Sequence, residues 1–137
     1  MSLPDTLAGA IDGLLGAVET MPGLTRVYDD PPASLSEFPC AFVVASNGEM
    51  SDSGAGGIAF HTMAIEIYQA PNITAQAVDG AKVWPDRVFA ALKADPLLGG
   101  NVTHIRWPIT YRALGLTYNN VTHYGMRFEV TVKVIEQ

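Results

Sequence analysis

The stretch Tyr124–Ile135 constrains this chain more than any other. Tyr124, Met126, Phe128, Val130, Val132 and Val134 occupy alternate positions, and Arg127, Glu129, Thr131 and Lys133 fall between them. Alternation of period two puts side chains on opposite faces of an extended strand, whereas a helix would scatter these apolar residues around its axis. A strand with one dry and one wet face needs partners on both sides and a layer over the dry face. The remaining residues have to supply both.

Two apolar segments of helical period are available for the covering layer. Leu7, Ile11, Leu14, Leu15 and Val18 form one stripe, with Ser2 as the expected N-cap, Asp5 three residues on, and Pro4 in the first turn. Gly9, Gly13 and Gly16 fall opposite that stripe. Each interior glycine costs a helix about 0.5–1 kcal/mol relative to alanine, so this face either lets another backbone approach or belongs to a weak helix held by its core side. Met21-Pro22-Gly23 ends the helix. Val78, Ala81, Pro85, Val88 and Leu92 keep helical spacing farther on. They predict one helix from Thr74 to Ala94, kinked at Pro85, with two helices meeting at Trp84-Pro85 as the alternative.

Strands fill the rest. Thr25–Tyr28 is a short one, stopped by Asp29-Asp30-Pro31-Pro32. Cys40–Ala45 is a continuous apolar run, as expected of a strand covered on both faces. Ala59–Tyr68 carries His61, Met63, Ile65 and Ile67 on one parity. Between these two strands, residues Ser46–Gly57 read as a long, glycine-rich hairpin tip. Gly99-Gly100 supplies positive φ for the turn into a strand over Asn101–Trp107, which Pro108 ends. Ile109–Thr122 reads either as an extended loop or as an extra hairpin arm with its turn at Asn119-Asn120. The expectation is a single α+β domain over residues 1–137. It has a mostly antiparallel sheet of four to five strands, two helices packed on one face, and long hairpin or loop arms.

Composition narrows the class of function. The chain has 137 residues and 48% hydrophobic content, enough for a real core. Only 16% of residues are charged, so part of the surface is expected to be covered by neighbours. The net charge is −6 and the few basic residues form no run, which points away from phosphate backbones. Asp5 and Asp12 interrupt the first apolar run and no basic residue precedes Arg26, which argues against a secretory signal. No uncharged apolar stretch approaches the roughly 20 residues of a membrane span. The Asn-x-Thr triplets at Asn72, Asn101 and Asn120 therefore read as turns and not as glycan acceptors.

Reactive groups are scattered. His61, His104 and His123 lie on or beside three different strands, with none of the spacings that mark metal ligands. A small metal-dependent or hydrolytic enzyme would need all three to converge. Cys40 is the single cysteine and reads as a buried structural thiol. Ser53 does not lie in a nucleophile elbow. Gly54-Ala55-Gly56-Gly57 lacks the Lys-Ser/Thr of a phosphate loop. No catalytic, cofactor or metal residue is assigned.

Three features together resemble the tail-terminator family of long-tailed bacteriophages and phage-like particles, including head–tail joining proteins of similar fold. They are the N-terminal amphipathic helix followed by the proline-broken strand Arg26–Pro32, the helix-to-strand passage Val88–Val102, and the terminal strand Tyr124–Val134. The resemblance implies a small α+β subunit, without catalytic residues or cofactors, that forms a six-membered ring. The ring caps the tail tube, offers its other face to the head connector, and lets DNA pass without specific binding. It implies a place in the virion at the head–tail junction, after synthesis in the host cytoplasm. The family supplies no match for the Ser46–Gly57 tip or the Pro85 kink. Residues expected at subunit interfaces, from low charge, glycine content and flexible arms, are Gly9, Gly13, Gly16, Met50, Asp52, Gly54, Gly57, Leu114, Leu116 and Tyr118. A small-molecule or peptide-binding monomer using a sheet edge is the competing reading outside enzymes.

Overall fold

The computed structural model describes residues 6–135 except 53 and 55. The cap expected at Ser2, with Pro4 and Asp5, lies outside the described residues, as does Ser53. In chain order the elements are α1 (Thr6–Glu19), β1 (Arg26–Val27), β2 (Cys40–Asp52), β3 (Gly57–Ala70), α2 (Ala75–Ala81), α3 (Trp84–Ala94), β4 (His104–Tyr118) and β5 (Val121–Ile135). A 3-10 turn at Leu98–Gly100 precedes β4.

The strands form one sheet in the order β1-β2-β3-β5-β4, parallel between β1 and β2 and antiparallel elsewhere. The fold is therefore α+β, with the terminal strand held between β3 and β4. Its dry parity is buried throughout, from Tyr124 to Val134. The register sets Met126 beside Ile67, Phe128 beside Ile65 and Val130 beside Met63. Over this face lie Leu14, Leu15 and Val18 of α1 and Trp84, Val88 and Leu92 of α3. Burying each such side chain fully stabilises by about 1.5–3 kcal/mol. Gly125 packs against the backbone of β3. A Cβ there would lie 2.2 Å from the Ile67 carbonyl oxygen, so the position admits only glycine.

Several local expectations are corrected. The segment Thr74–Ala94 is broken, not kinked: α2 ends at Ala81 and α3 begins at Trp84. A continuous helix would drive the Pro85 ring into the Ala81 carbonyl, whereas at the start of α3 its missing N–H is harmless. Thr74 caps α2 by accepting the Ala77 N–H at 3.0 Å, as its sequence position suggests. The break lets Trp84 bury fully while its Nε1–H donates to Gln69 Oε1 at 2.7 Å.

The supposed long tip is mostly strand. β2 runs on to Asp52, pairing Asn47–Asp52 with Gly57–Thr62 after a bulge at Ser46. Backbone pairing needs no apolar side chain, and β3 is already fixed by β5 on its other side. Pro108 does not end β4 either. The ladder skips from Arg106 to Thr110 and then continues to Tyr118. An edge strand can bulge around proline because no outer neighbour needs its N–H. Ile109–Thr122 is thus a hairpin arm, turning through Asn119 and Asn120 at φ 52° and 66°. Two consecutive positive φ values fit the turn that matches strand twist. Gly99 and Gly100 have the positive φ expected of them, 70° and 87°.

A second, smaller core covers the opposite face at one end. Cys40, Phe42, Tyr68 and Leu116 are buried there under Tyr28, Leu35, Phe38 and Tyr118. Phe42, Tyr68 and Tyr118 contact one another ring to ring, and Phe38 stacks on His123. The Tyr118 hydroxyl donates to the Pro32 carbonyl and Asn119 Nδ2 donates to the Ala33 carbonyl. The 28–39 loop and the β4–β5 turn are thereby tied across the sheet.

Candidate functional site: the two sheet edges

The strand order leaves a rim of backbone at each side of the sheet. On one side, β1 pairs only with Cys40 and Ala41, so β2 beyond them has no outer strand among the described residues. Ala45–Asp52 is exposed on both faces. The register alternates its side chains. Met50, opposite Ala59, lies on the helix-covered face, and Glu49, opposite Phe60, lies on the other. Met50 is 79% exposed. Together with Leu7, Ala45, Gly48 and His61 it borders a hollow of ≈ 400 Å³ between α1 and this edge. Beyond it, Asp52 Oδ1 accepts the Gly54 N–H at 2.8 Å.

On the other side, α3 packs over β5 and touches β4 where Phe89 meets Trp107, leaving part of β4 uncovered. The uncovered strip is an apolar groove of ≈ 220 Å³ lined by Val88, Phe89, Trp107, Ile109, Tyr111 and Phe128. Phe89, Trp107 and Tyr111 are 54%, 46% and 54% exposed. Phe89 and Trp107 meet edge to face with centroids 5.5 Å apart, and Tyr111 leans on Phe128 at 5.3 Å. Exposed aromatic rings grouped in this way at a groove mark interaction sites more often than isolated surface apolar residues do.

The opposite face of β4 is basic. Arg106 lies over the Phe60 ring at 4.9 Å, and neither it nor Arg112 has an ion-pair partner among the described residues. Arg112 stands directly across the ladder from Arg127, whose own carboxylate partner is Glu66. Like charges at facing positions destabilise a sheet, so an added carboxylate beside Arg112 would be favourable.

The residues expected at interfaces separate into two groups. Met50, Asp52, Gly54 and Gly57 collect at the β2–β3 end, with Met50, Asp52 and Gly54 exposed. Gly16 is exposed, with nothing near its would-be Cβ. The others are engaged within the chain. At Gly13 the close backbone is intramolecular, because a Cβ would lie 2.3 Å from the Leu98 carbonyl oxygen, and Gly9 rests against Asn101. Leu116 is buried in the small aromatic core, and Tyr118 is tied to Pro32. Leu114 lies on β4, and its side chain is outside the described part. The groove residues Phe89, Trp107 and Tyr111 escaped the sequence reading. The available signal was Phe89 lying off the Val88–Leu92 stripe.

The histidines do not converge. His61 is buried on the helix face, with Nε2 2.9 Å from Thr6 Oγ1, and burial lowers its pKa. His123 is buried in the opposite core, while His104 is exposed beside Lys133. No group of three potential metal ligands occurs among the described residues. Burial, and secondarily Glu37, pushes the Cys40 thiol up to about 11, which disfavours the nucleophilic thiolate. Among the described residues no helix is long and apolar enough to cross a membrane. No protein-family model matches the chain, and no curated protein matches its sequence.

Proposed function

We propose that the chain is a structural ring subunit that caps the tail tube of a long-tailed phage or phage-like particle and joins it to the head connector. One observation carries this reading: two sheet edges on opposite flanks without an outer strand among the described residues, with Met50 in solvent on one and Phe89, Trp107 and Tyr111 on the other. Different surfaces on opposite flanks make heterologous contacts, and such contacts close into a ring when the rotation per copy divides the circle. The resemblance in helix, passage and terminal strand supports the tail terminator in particular, with six copies. The net charge of −6 suits a channel through which DNA passes without adhering. On this reading the protein acts in the virion with itself, the tube protein and the connector protein as partners, and it needs no cofactor.

The test is end-binding. Purified tail tubes are incubated with the protein and imaged by negative stain, with connector-bearing heads added in a second arm. The proposal expects annular density at one end of each tube and joining of heads only to capped tubes. Annuli that bind heads but never tubes would reassign the protein to a neighbouring connector ring. Absence of binding to either would overturn the assembly role.

A further inference from the structure

We propose that the aromatic groove between α3 and β4 receives the Met50 edge of a second copy of this chain, joined head to tail. This deepens the ring reading and rests on it. Three independent features of the two flanks agree.

The first is strand direction. β2, β3, β5 and β4 alternate across the sheet, every adjacent pair among them being antiparallel. A second copy in the same orientation therefore brings its β2 antiparallel to the first copy's β4. The alternation continues and the helix layers stay on one side.

The second is face. In that arrangement, with the second copy shifted six residues along the strands, Met50, on the helix-covered side of β2, arrives beside Tyr111 on the side of β4 that carries Trp107, and the same shift sets Glu49 beside Arg112. An unbranched thioether adapts to an irregular aromatic cleft and makes favourable sulfur–ring contacts. The third is charge. Glu49 projects from the opposite side of β2, as Arg106 and Arg112 do from β4. The contact thus offers Arg112 the carboxylate that its own chain does not place there. A two-fold pairing would set Met50 against Met50 and Arg112 against Arg112, and would gain none of these. The bulge at Trp107–Ile109 keeps the edge from templating an indefinite ladder.

The test is directional cross-linking. Met50→Cys and Tyr111→Cys are combined in one chain. Three strand spacings and a six-residue offset along the strands separate these positions within a copy, about 24 Å, beyond the roughly 7 Å that a disulfide spans. Cys40 is buried and does not compete. Mild oxidation is expected to give a ladder of covalent oligomers ending at a closed species. In parallel, Met50→Glu and Tyr111→Glu are each expected to weaken self-association by on the order of tenfold or more. Mixed, the two variants should form one-to-one dimers, because each retains the flank the other lacks.

A second pair guards against unfolding artefacts. Glu49→Arg and Arg112→Glu should each impair association, and the double variant should recover it. Rings that persist in all single variants, without cross-linking, would overturn this interface and leave the ring reading standing. Covalent dimers through Met50→Cys alone would replace it with a two-fold contact. Failure of the unmodified protein to associate at all would overturn both.

Discussion

One substitution, glycine to alanine, should have opposite signs at three positions of this chain. At Gly16 a new Cβ meets nothing within 4 Å, and the residue is exposed in the interior of α1. Alanine there removes unfolded-state freedom and should stabilise by about 0.5–1 kcal/mol. At Gly125 the Cβ would lie 2.2 Å from the Ile67 carbonyl oxygen and 3.1 Å from the Tyr68 Cα. Carbon and oxygen need roughly 1 Å more, and both contacts are backbone, beside the bulge near one end of the β3–β5 ladder, so no side chain can swing aside. Forcing that opening should cost about 1–3 kcal/mol, as overpacking does elsewhere. Gly13 falls in the same class, with the Leu98 carbonyl oxygen at 2.3 Å. For a domain of this size about 1 kcal/mol moves Tm by roughly 4 °C. Differential scanning calorimetry should therefore place Gly16→Ala about 2–4 °C above the parent, and Gly125→Ala and Gly13→Ala about 4–12 °C below it. Gly125→Ala melting with the parent would refute the close β3–β5 approach, and with it the register that sets the two faces of the sheet.

Other outcomes follow from single contacts. Gln69→Leu should destabilise by about 1–3 kcal/mol in urea titration, because it strands the buried Trp84 N–H. His61 has a pKa below its ordinary 6.5 in the folded chain. The unfolded state therefore binds the proton first, and stability should begin to fall as pH drops below about 6.5 and continue down to the lowered value. His61→Gln should flatten that part of the profile in pH-dependent urea midpoints. Cys40, buried with its pKa pushed up to about 11, should resist iodoacetamide at pH 8 in the native protein and react fully in denaturant. Rapid native labelling would contradict its burial.

The elements that the sequence announces are those whose pattern is local. The alternation of β5 needs no partner to be read, and neither does the stripe of α1. What stayed hidden depends on neighbours. Asn47–Asp52 is polar and glycine-bearing, with nothing strand-like in it. It is extended because β3 lies alongside, held from its other side by β5. The small aromatic core joins Phe42 and Tyr68 to Tyr118 and His123, far away in sequence, through a turn folded back on the 28–39 loop. No window of periodicity reports that. Pro85 could not announce whether it kinks a helix or starts one. The choice follows from Trp84 finding Gln69. Met50 was legible as an exposed residue of an unusual segment. Its counterpart was not, because Phe89, Trp107 and Tyr111 become neighbours only once the sheet order sets β4 outside β5 and beside α3.

Everything proposed for this protein depends on copies mating flank to flank, and the mass of the unmodified protein in solution tests that most directly. Native mass spectrometry across a concentration series should show the 14.6 kDa chain passing into one closed species of fixed stoichiometry, six copies if the resemblance holds. A protein that stays monomeric at every concentration, or stops at a two-fold dimer, would contradict the account.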